Sequence, residues 1–132
     1  MGNIWSIESA LKYLGFEAKA INNPKDLIYF NSCILPGVGA YNHAMEKLVS
    51  QGFVEPIKEF VLNKENRILG ICLGMHILGT LGKENGLTSG LGLITGTVEE
   101  FKFLDSNPLE IPHVGFNSVT LNPNSKLLRG FD

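Results

Sequence analysis

A chain of 132 residues with 44% hydrophobic and 18% charged side chains has the apolar content of one packed domain, or part of one, and is not a disordered polyelectrolyte. Its net charge of −2, with no basic cluster, argues against nucleic acid and against an anionic membrane surface as partners. No apolar run approaches a membrane span and the N-terminus lacks the form of a signal peptide. Cys33 and Cys72 make no disulfide framework, so a reducing cytoplasm is the expected compartment.

Ile4, Ile7, Leu11 and Leu14 recur at helical spacing and stop at Gly15, which reads as the glycine just past a helix end. Residues 16–21 are apolar-rich and predict a short strand. Asn22-Asn23-Pro24 is turn chemistry, and residues 26–30 predict a short helical turn. Ser32-Cys33-Ile34-Leu35 predicts a buried strand that stops at Pro36, with Cys33 packed inside it. Pro36-Gly37-Val38-Gly39-Ala40-Tyr41 is then a glycine loop between that strand and a predicted helix over 42–50, closed by Gly52. Such a loop either presents backbone N–H groups to an anion or oxyanion, or is an ordinary strand-to-helix turn. It is not a P-loop, because no Gly-Lys-Ser/Thr follows. A second amphipathic helix is predicted over 54–64, with Pro56 in its first turn.

The stretch over 67–78, RILGICLGMHIL, carries the chemistry. Ile68, Leu69 and Ile71 predict a buried strand, and Met75, Ile77 and Leu78 resume at helical spacing. Between them Gly70-Ile71-Cys72-Leu73-Gly74 has the form of a nucleophile elbow with cysteine in the serine position. A thiol at a helix N-terminus is favoured as thiolate, and the Leu73 amide would face an oxyanion formed on a carbonyl attacked by Cys72. A lone cysteine in an apolar run is more often buried and inert; the two flanking glycines favour the nucleophile. Strand and helix alternate over 16–74, which implies a parallel sheet whose strand ends bring 36–41 and Cys72 to one cleft.

Beyond the elbow, glycines 79, 82, 86, 90 and 92 predict a surface loop over 80–93. Residues 96–103 predict a strand and 113–121 another, as hairpin partners, with turns at 108–112 and 122–124. His43, His76 and His113 have no ligand spacing, so no metal site is expected.

Taken together, Met1-Gly2-Asn3, the Ile34–Ala40 loop, Gly70-Ile71-Cys72-Leu73-Gly74-Met75, Gly90-Leu91-Gly92-Leu93-Ile94 and Pro112-His113-Val114-Gly115-Phe116-Asn117 resemble the class I (triad) glutamine amidotransferases. The likeness is strongest to the glutaminase subunits of imidazole glycerol phosphate synthase. The resemblance implies an α/β fold of three layers with a mostly parallel sheet, the whole chain forming one domain. It implies glutamine as substrate, no cofactor, and a (β/α)₈ cyclase subunit as heterodimer partner. By it Cys72 is the catalytic nucleophile, the amides of Val38 and Leu73 form the oxyanion hole, and Gly37, Gly39 and His76 bind substrate. Asn3, His113, Phe116 and Asn117 would face the partner. Glycine at 37 would also let that peptide flip.

The family pattern has a strand before Met-Gly-Asn and a catalytic His and Glu in a His-Pro-Glu segment that would fall after Asp132. The chain is therefore expected to be a domain incomplete at both ends and inactive alone. The family usually has Gln where His76 stands and Trp where Phe116 stands. His76, four residues past Cys72, is expected to contact substrate; a base on the same helix rarely aligns with the nucleophile's proton. Alternative readings are a paralogous glutaminase supplying ammonia for amidination of a bacterial surface sugar, a non-catalytic fragment, and an unrelated hydrolase with a cysteine elbow. The glycine loop and the PHxGxN stretch argue against the last.

Overall fold

A computed structural model describes residues 4–101, 114–122, 124–128 and 130. The chain forms two compact units, 1–100 and 101–132. In the first, α1 (Ile4–Tyr13) ends as the helical periodicity predicts. Gly15, at φ 82°, takes the left-handed position past the helix end. Its N–H donates to Lys12 O at 3.0 Å and Phe16 N–H donates to Leu11 O at 2.9 Å, the paired bonds of a Schellman stop. The same stop recurs at Gly52 after α2 (Tyr41–Ser50), where Gly52 N–H reaches Val49 O and Phe53 N–H reaches Leu48 O.

Residues 16–21 do not form the expected strand. They have no ladder partner among the described residues, and apolar content alone cannot make a strand without one. Beyond the bond of Phe16 N–H in the helix stop, the Ala20 N–H donates to Glu8 Oε1 at 3.2 Å and ties them to α1. A 3₁₀ turn over Pro24–Tyr29 follows, capped by the Asn23 side chain, which accepts from Lys25 N–H. It begins two residues earlier than predicted, because Asn23 caps and Pro24 supplies the fixed φ of a first turn.

β1 (Ser32–Gly37) and β2 (Arg67–Cys72) pair in parallel, from Ser32↔Arg67 to Gly37↔Cys72. Between them run α2 and α3 (Val54–Leu62). The molecule is thus a mixed α/β fold with a parallel pair and packing helices, as the sequence predicts. β1 continues through Pro36 rather than stopping there. Proline lacks only a donor and is tolerated in a strand with a free side, and β1 pairs only with β2 among the described residues. Its free side lines a cavity of about 750 Å³ that α1 and residues 16–22 also border. Nine buried apolar side chains form the core among the described residues: Leu27, Tyr41, Met45, Ile57, Phe60, Leu73, Ile77, Leu78 and Leu91.

The glycine-rich stretch after the elbow is not the expected surface loop. β3 (Leu81–Gly82) and β4 (Thr88–Ser89) pair antiparallel, and β5 (Thr97–Val98) pairs parallel to β3. Leu91 is only 2% exposed. Gly79, Gly82 and Gly90 are closely packed here, whereas Gly86 and Gly92 have positive φ and open space around them. Of the strand predicted over 96–103, β5 is the part that forms within the described residues.

In the second unit, 114–121 carry no strand. Val114, Phe116 and Val119 are all exposed, and no sheet partner stands beside them among the described residues of that unit. Of the turn expected over 122–124, the described residues show Asn124 N–H on Asn122 Oδ1 at 2.9 Å and Ser125 N–H on Asn122 O at 2.8 Å. The turn expected over 108–112 lies outside the described residues.

Candidate active site

β2 must pass into a helix within one residue, and that residue is Cys72. Its φ of 54° and ψ of −122° are a conformation that a residue with a side chain enters at a cost of about 1–3 kcal/mol. Packing on both sides enforces it. A Cβ on Gly70 would stand 2.5 Å from Met75 Cα and 2.7 Å from Met75 N. A Cβ on Gly74 would collide with the carbonyl oxygen of Leu35 in β1. Gly37 is equally tight, its absent Cβ falling 2.8 Å from Gly74 N and 2.9 Å from Leu73 Cβ. Three glycines therefore let the end of β1, the end of β2 and the helix start touch backbone to backbone.

That helix, α4 (Leu73–His76), is one turn long. It is shorter than the spacing of Met75, Ile77 and Leu78 suggests. Leu78 N–H bonds Met75 O and Gly79 N–H bonds His76 O, so the chain tightens into 3₁₀ turns and leaves the helix. The macrodipole of one turn is weak. What acts at Cys72 is local: the N–H groups of Leu73 and Gly74 open the helix and have no acceptor within it.

The thiol of Cys72 is exposed. Because Gly37 is its register partner, Val38 and Leu73 are the next residues on two adjacent strand ends. Sequence positions 35 residues apart thus meet at one sheet edge. A methyl on Gly39, whose φ is 94°, would meet nothing within 4 Å, so the loop is open on the outer side of Gly39. Cys33 is the opposite case. It is half-buried in β1 against the core, and burial pushes its thiol up to about 11, which makes it a poor nucleophile.

A strained cysteine between two glycines whose Cβ positions are already filled, at the end of a parallel strand and beside a second glycine loop, is the arrangement of an amidotransferase elbow. The family model of the SNO glutamine amidotransferases matches residues 1–106. The chain belongs to that family.

Among curated relatives, this family member is 41% identical over 130 residues to the imidazole glycerol phosphate synthase subunit HisH of Caldanaerobacter subterraneus, covering 98% of this chain and 62% of the relative. It is 40% identical over 131 residues to HisH 1 of Campylobacter jejuni strain RM1221, covering 99% and 64%. It is 38% identical over 127 residues to the chloroplastic imidazole glycerol phosphate synthase hisHF of Arabidopsis thaliana, covering 96% and 21%. The chain thus spans a little over three fifths of the length of the two bacterial relatives.

His76 ends α4, exposed, and lines a shallow, mostly apolar pocket of about 220 Å³ with Met75, Ile94 and Val98; Cys72 is not in that lining. Asn3 and His113 lie outside the described residues. Phe116 and Asn117 belong to the second unit, and both are exposed there. No helix among the described residues is long and apolar enough to cross a membrane.

Two residues with a place in the site carry no motif. Tyr41 opens α2 with its ring 1% exposed, and Glu84 accepts the Tyr41 N–H at 2.8 Å. The one sequence signal for them is negative: Ala40 is a poor helix cap, so the first-turn amides of α2 need an acceptor from elsewhere.

Proposed function

We propose that the chain is the glutaminase part of an imidazole glycerol phosphate synthase. In this reading it hydrolyses glutamine to glutamate and passes the ammonia to a (β/α)₈ cyclase subunit in the cytoplasm. The observation that carries it is the strained, exposed Cys72 between glycines that tolerate no side chain, read with relatives named as HisH.

Cys72 thiolate attacks the side-chain amide carbon of glutamine. The carbonyl π pair moves onto oxygen, and the N–H groups of Val38 and Leu73 receive that oxyanion. Collapse breaks the C–N bond; the departing NH2 group takes the proton that the general base removed from the Cys72 thiol and leaves as ammonia, and a thioester remains on Cys72. Water cleaves the thioester to glutamate and restores the thiol. Gly37 and Gly39 leave the loop backbone accessible to substrate, and His76 is proposed to donate a hydrogen bond to it. None of His43, His76 or His113 is assigned the general base; in this reading that group comes from a His-Pro-Glu segment. Asn3, His113, Phe116 and Asn117 are proposed to face the cyclase.

The test is Cys72→Ala in a chain completed at both ends, assayed together with the cyclase. Glutamate release from glutamine is expected to vanish, while ammonium-driven formation of imidazole glycerol phosphate by the cyclase persists. Glutamate release by the variant at the unmutated rate would overturn the assignment.

A further inference from the structure

The loop that carries Val38 is held at two points. At one end Gly37 sits in the ladder opposite Cys72. At the other, Tyr41 begins α2, whose cap residue Ala40 makes no side-chain bond and whose first turn has no acidic residue. A helix start of that kind leaves its first N–H groups without acceptors. Glu84, 43 residues further on, supplies one: its Oε2 accepts the Tyr41 N–H at 2.8 Å in a part-buried bond. A carboxylate at that position is also favoured by the helix dipole.

Glu84 is itself anchored. Its neighbour Lys83 bonds Val98 O through its backbone N–H at 2.9 Å and Glu99 through its ammonium at 2.8 Å. Gly82, in the same hairpin, lies against the Tyr41 ring, and Gly90, just beyond it, against the Tyr41 hydroxyl. The hairpin therefore grips Tyr41 by ring and by amide. Only Gly39 and Ala40 separate that grip from Val38, and Gly39 touches nothing on its outer side.

We propose that Glu84 is a positioning residue: by holding the Tyr41 amide it sets the Val38 N–H beside Cys72 for a tetrahedral oxyanion. The inference rests on the glutaminase reading for its chemistry but not for its geometry.

The test uses Glu84→Ala and Glu84→Gln in the full chain. Gln keeps a carbonyl acceptor, so rescue by Gln separates a lost bond from lost charge. The first readout is amide hydrogen exchange over 38–41. Glu84→Ala is expected to raise it by at least about 10-fold, the loss of one part-buried bond, and Glu84→Gln to stay near the parent. The second is alkylation of Cys72 by a glutamine-like chloroketone relative to iodoacetamide. With the ketone, the thiolate adds to the carbonyl carbon and the oxygen becomes an oxyanion; sulfur then bonds to the methylene carbon as chloride leaves, and the oxyanion collapses to re-form the carbonyl; iodoacetamide is attacked by direct displacement of iodide and forms no oxyanion. Glu84→Ala is expected to lower the ratio of the two rates by roughly 10–100-fold, the scale of a small misplacement of a catalytic group, with Gln restoring most of it.

Unchanged exchange in Glu84→Ala overturns the proposed grip. Raised exchange with an unchanged ratio overturns the positioning role. If the parent itself prefers the glutamine-like ketone no more than a ketone without the amino-acid end, the glutaminase reading falls, and exchange alone still decides whether Glu84 holds the loop.

Discussion

Two stretches of this chain are rich in glycine, and they are so for different reasons. At the elbow, Gly37, Gly70 and Gly74 are excluded from bearing a side chain mainly by backbone: the carbonyl of Leu35, the amide of Gly74, and the Cα and N of Met75. In the hairpin over 81–89, the nearest atoms to a Cβ on Gly82 all belong to the Tyr41 ring, and Gly90 just beyond it meets Tyr41 Oη together with backbone of 77 and 79. One set lets main chains cross. In the other, Gly82 leaves room for one aromatic ring, and Gly90 for its hydroxyl and for backbone together. Backbone cannot be trimmed by a compensating mutation, whereas a ring can, so the two sets should differ in whether a second substitution rescues them.

The largest effect is expected at Gly74. A methyl there must displace β1 or α4, and with them the strained φ of Cys72. Overpacking against backbone places the loss at about 3 kcal/mol or more, read as a fall in the urea midpoint at constant slope. Truncating neighbouring side chains such as Leu73→Ala should not restore it. If Gly74→Ala is as stable as the parent, the backbone contact is not as described.

Gly82→Ala is expected to cost less, about 1–3 kcal/mol, because its obstacle is the Tyr41 ring at 2.5–2.6 Å. Tyr41→Ala alone should cost about 3–5 kcal/mol as a buried aromatic. The double variant should cost less than the sum by at least about 1 kcal/mol, since the methyl then enters the space left by the ring. Strict additivity would erase the distinction between the two glycine sets.

The same distinction explains what is legible in the sequence. The elbow is a local pattern: Gly70, Cys72 and Gly74 lie within five residues, and their spacing states the turn. Gly15 and Gly52 are legible for the same reason, since a helix stop is settled by the residues beside it. The hairpin's purpose is non-local. Nothing near Gly82 or Glu84 announces that Tyr41 will lie between them, so glycine density there reads as a loop. Strand predictions fail for a related reason. Residues 16–21 and 114–121 have strand-like composition, but a strand exists only with a partner, and none pairs with them among the described residues. The length of α4 is hidden because apolar residues at helical spacing persist into 3₁₀ turns.

Within the parallel pair, the two thiols give a smaller and pH-dependent test. Burial raises Cys33 from the ordinary value of 9.0 to about 11. Above pH 9 the unfolded chain loses this proton while the folded chain keeps it, so the folded state binds more protons across the window from 9 to about 11. Stability must fall as pH rises through that window and level off above it. Two pH units correspond to on the order of 2 kcal/mol. The difference between the parent and Cys33→Ala, from urea midpoints at pH 8 and pH 10.5, should shrink accordingly. A difference independent of pH would mean that the Cys33 thiol is hydrated.

The smallest effect is expected where the hairpin meets Tyr41 most closely. The Tyr41 hydroxyl is buried without a hydrogen-bond partner among the described residues, and burial pushes its phenol up. It lies where a Cβ on Gly90 would stand, so its surroundings offer space only because residue 90 has no side chain. An unpaired buried hydroxyl costs stability through lost hydration, about 1–3 kcal/mol, while its removal leaves a void of one oxygen atom. The two nearly offset. Tyr41→Phe should therefore shift stability by no more than about 1 kcal/mol, toward greater stability, and leave the Glu84 bond intact because that bond uses the main-chain N–H. Amide exchange at Tyr41 in Tyr41→Phe should match the parent. A loss of 2 kcal/mol or more would mean that the hydroxyl is satisfied after all, and that the hairpin grips Tyr41 at three points: ring, amide and phenol.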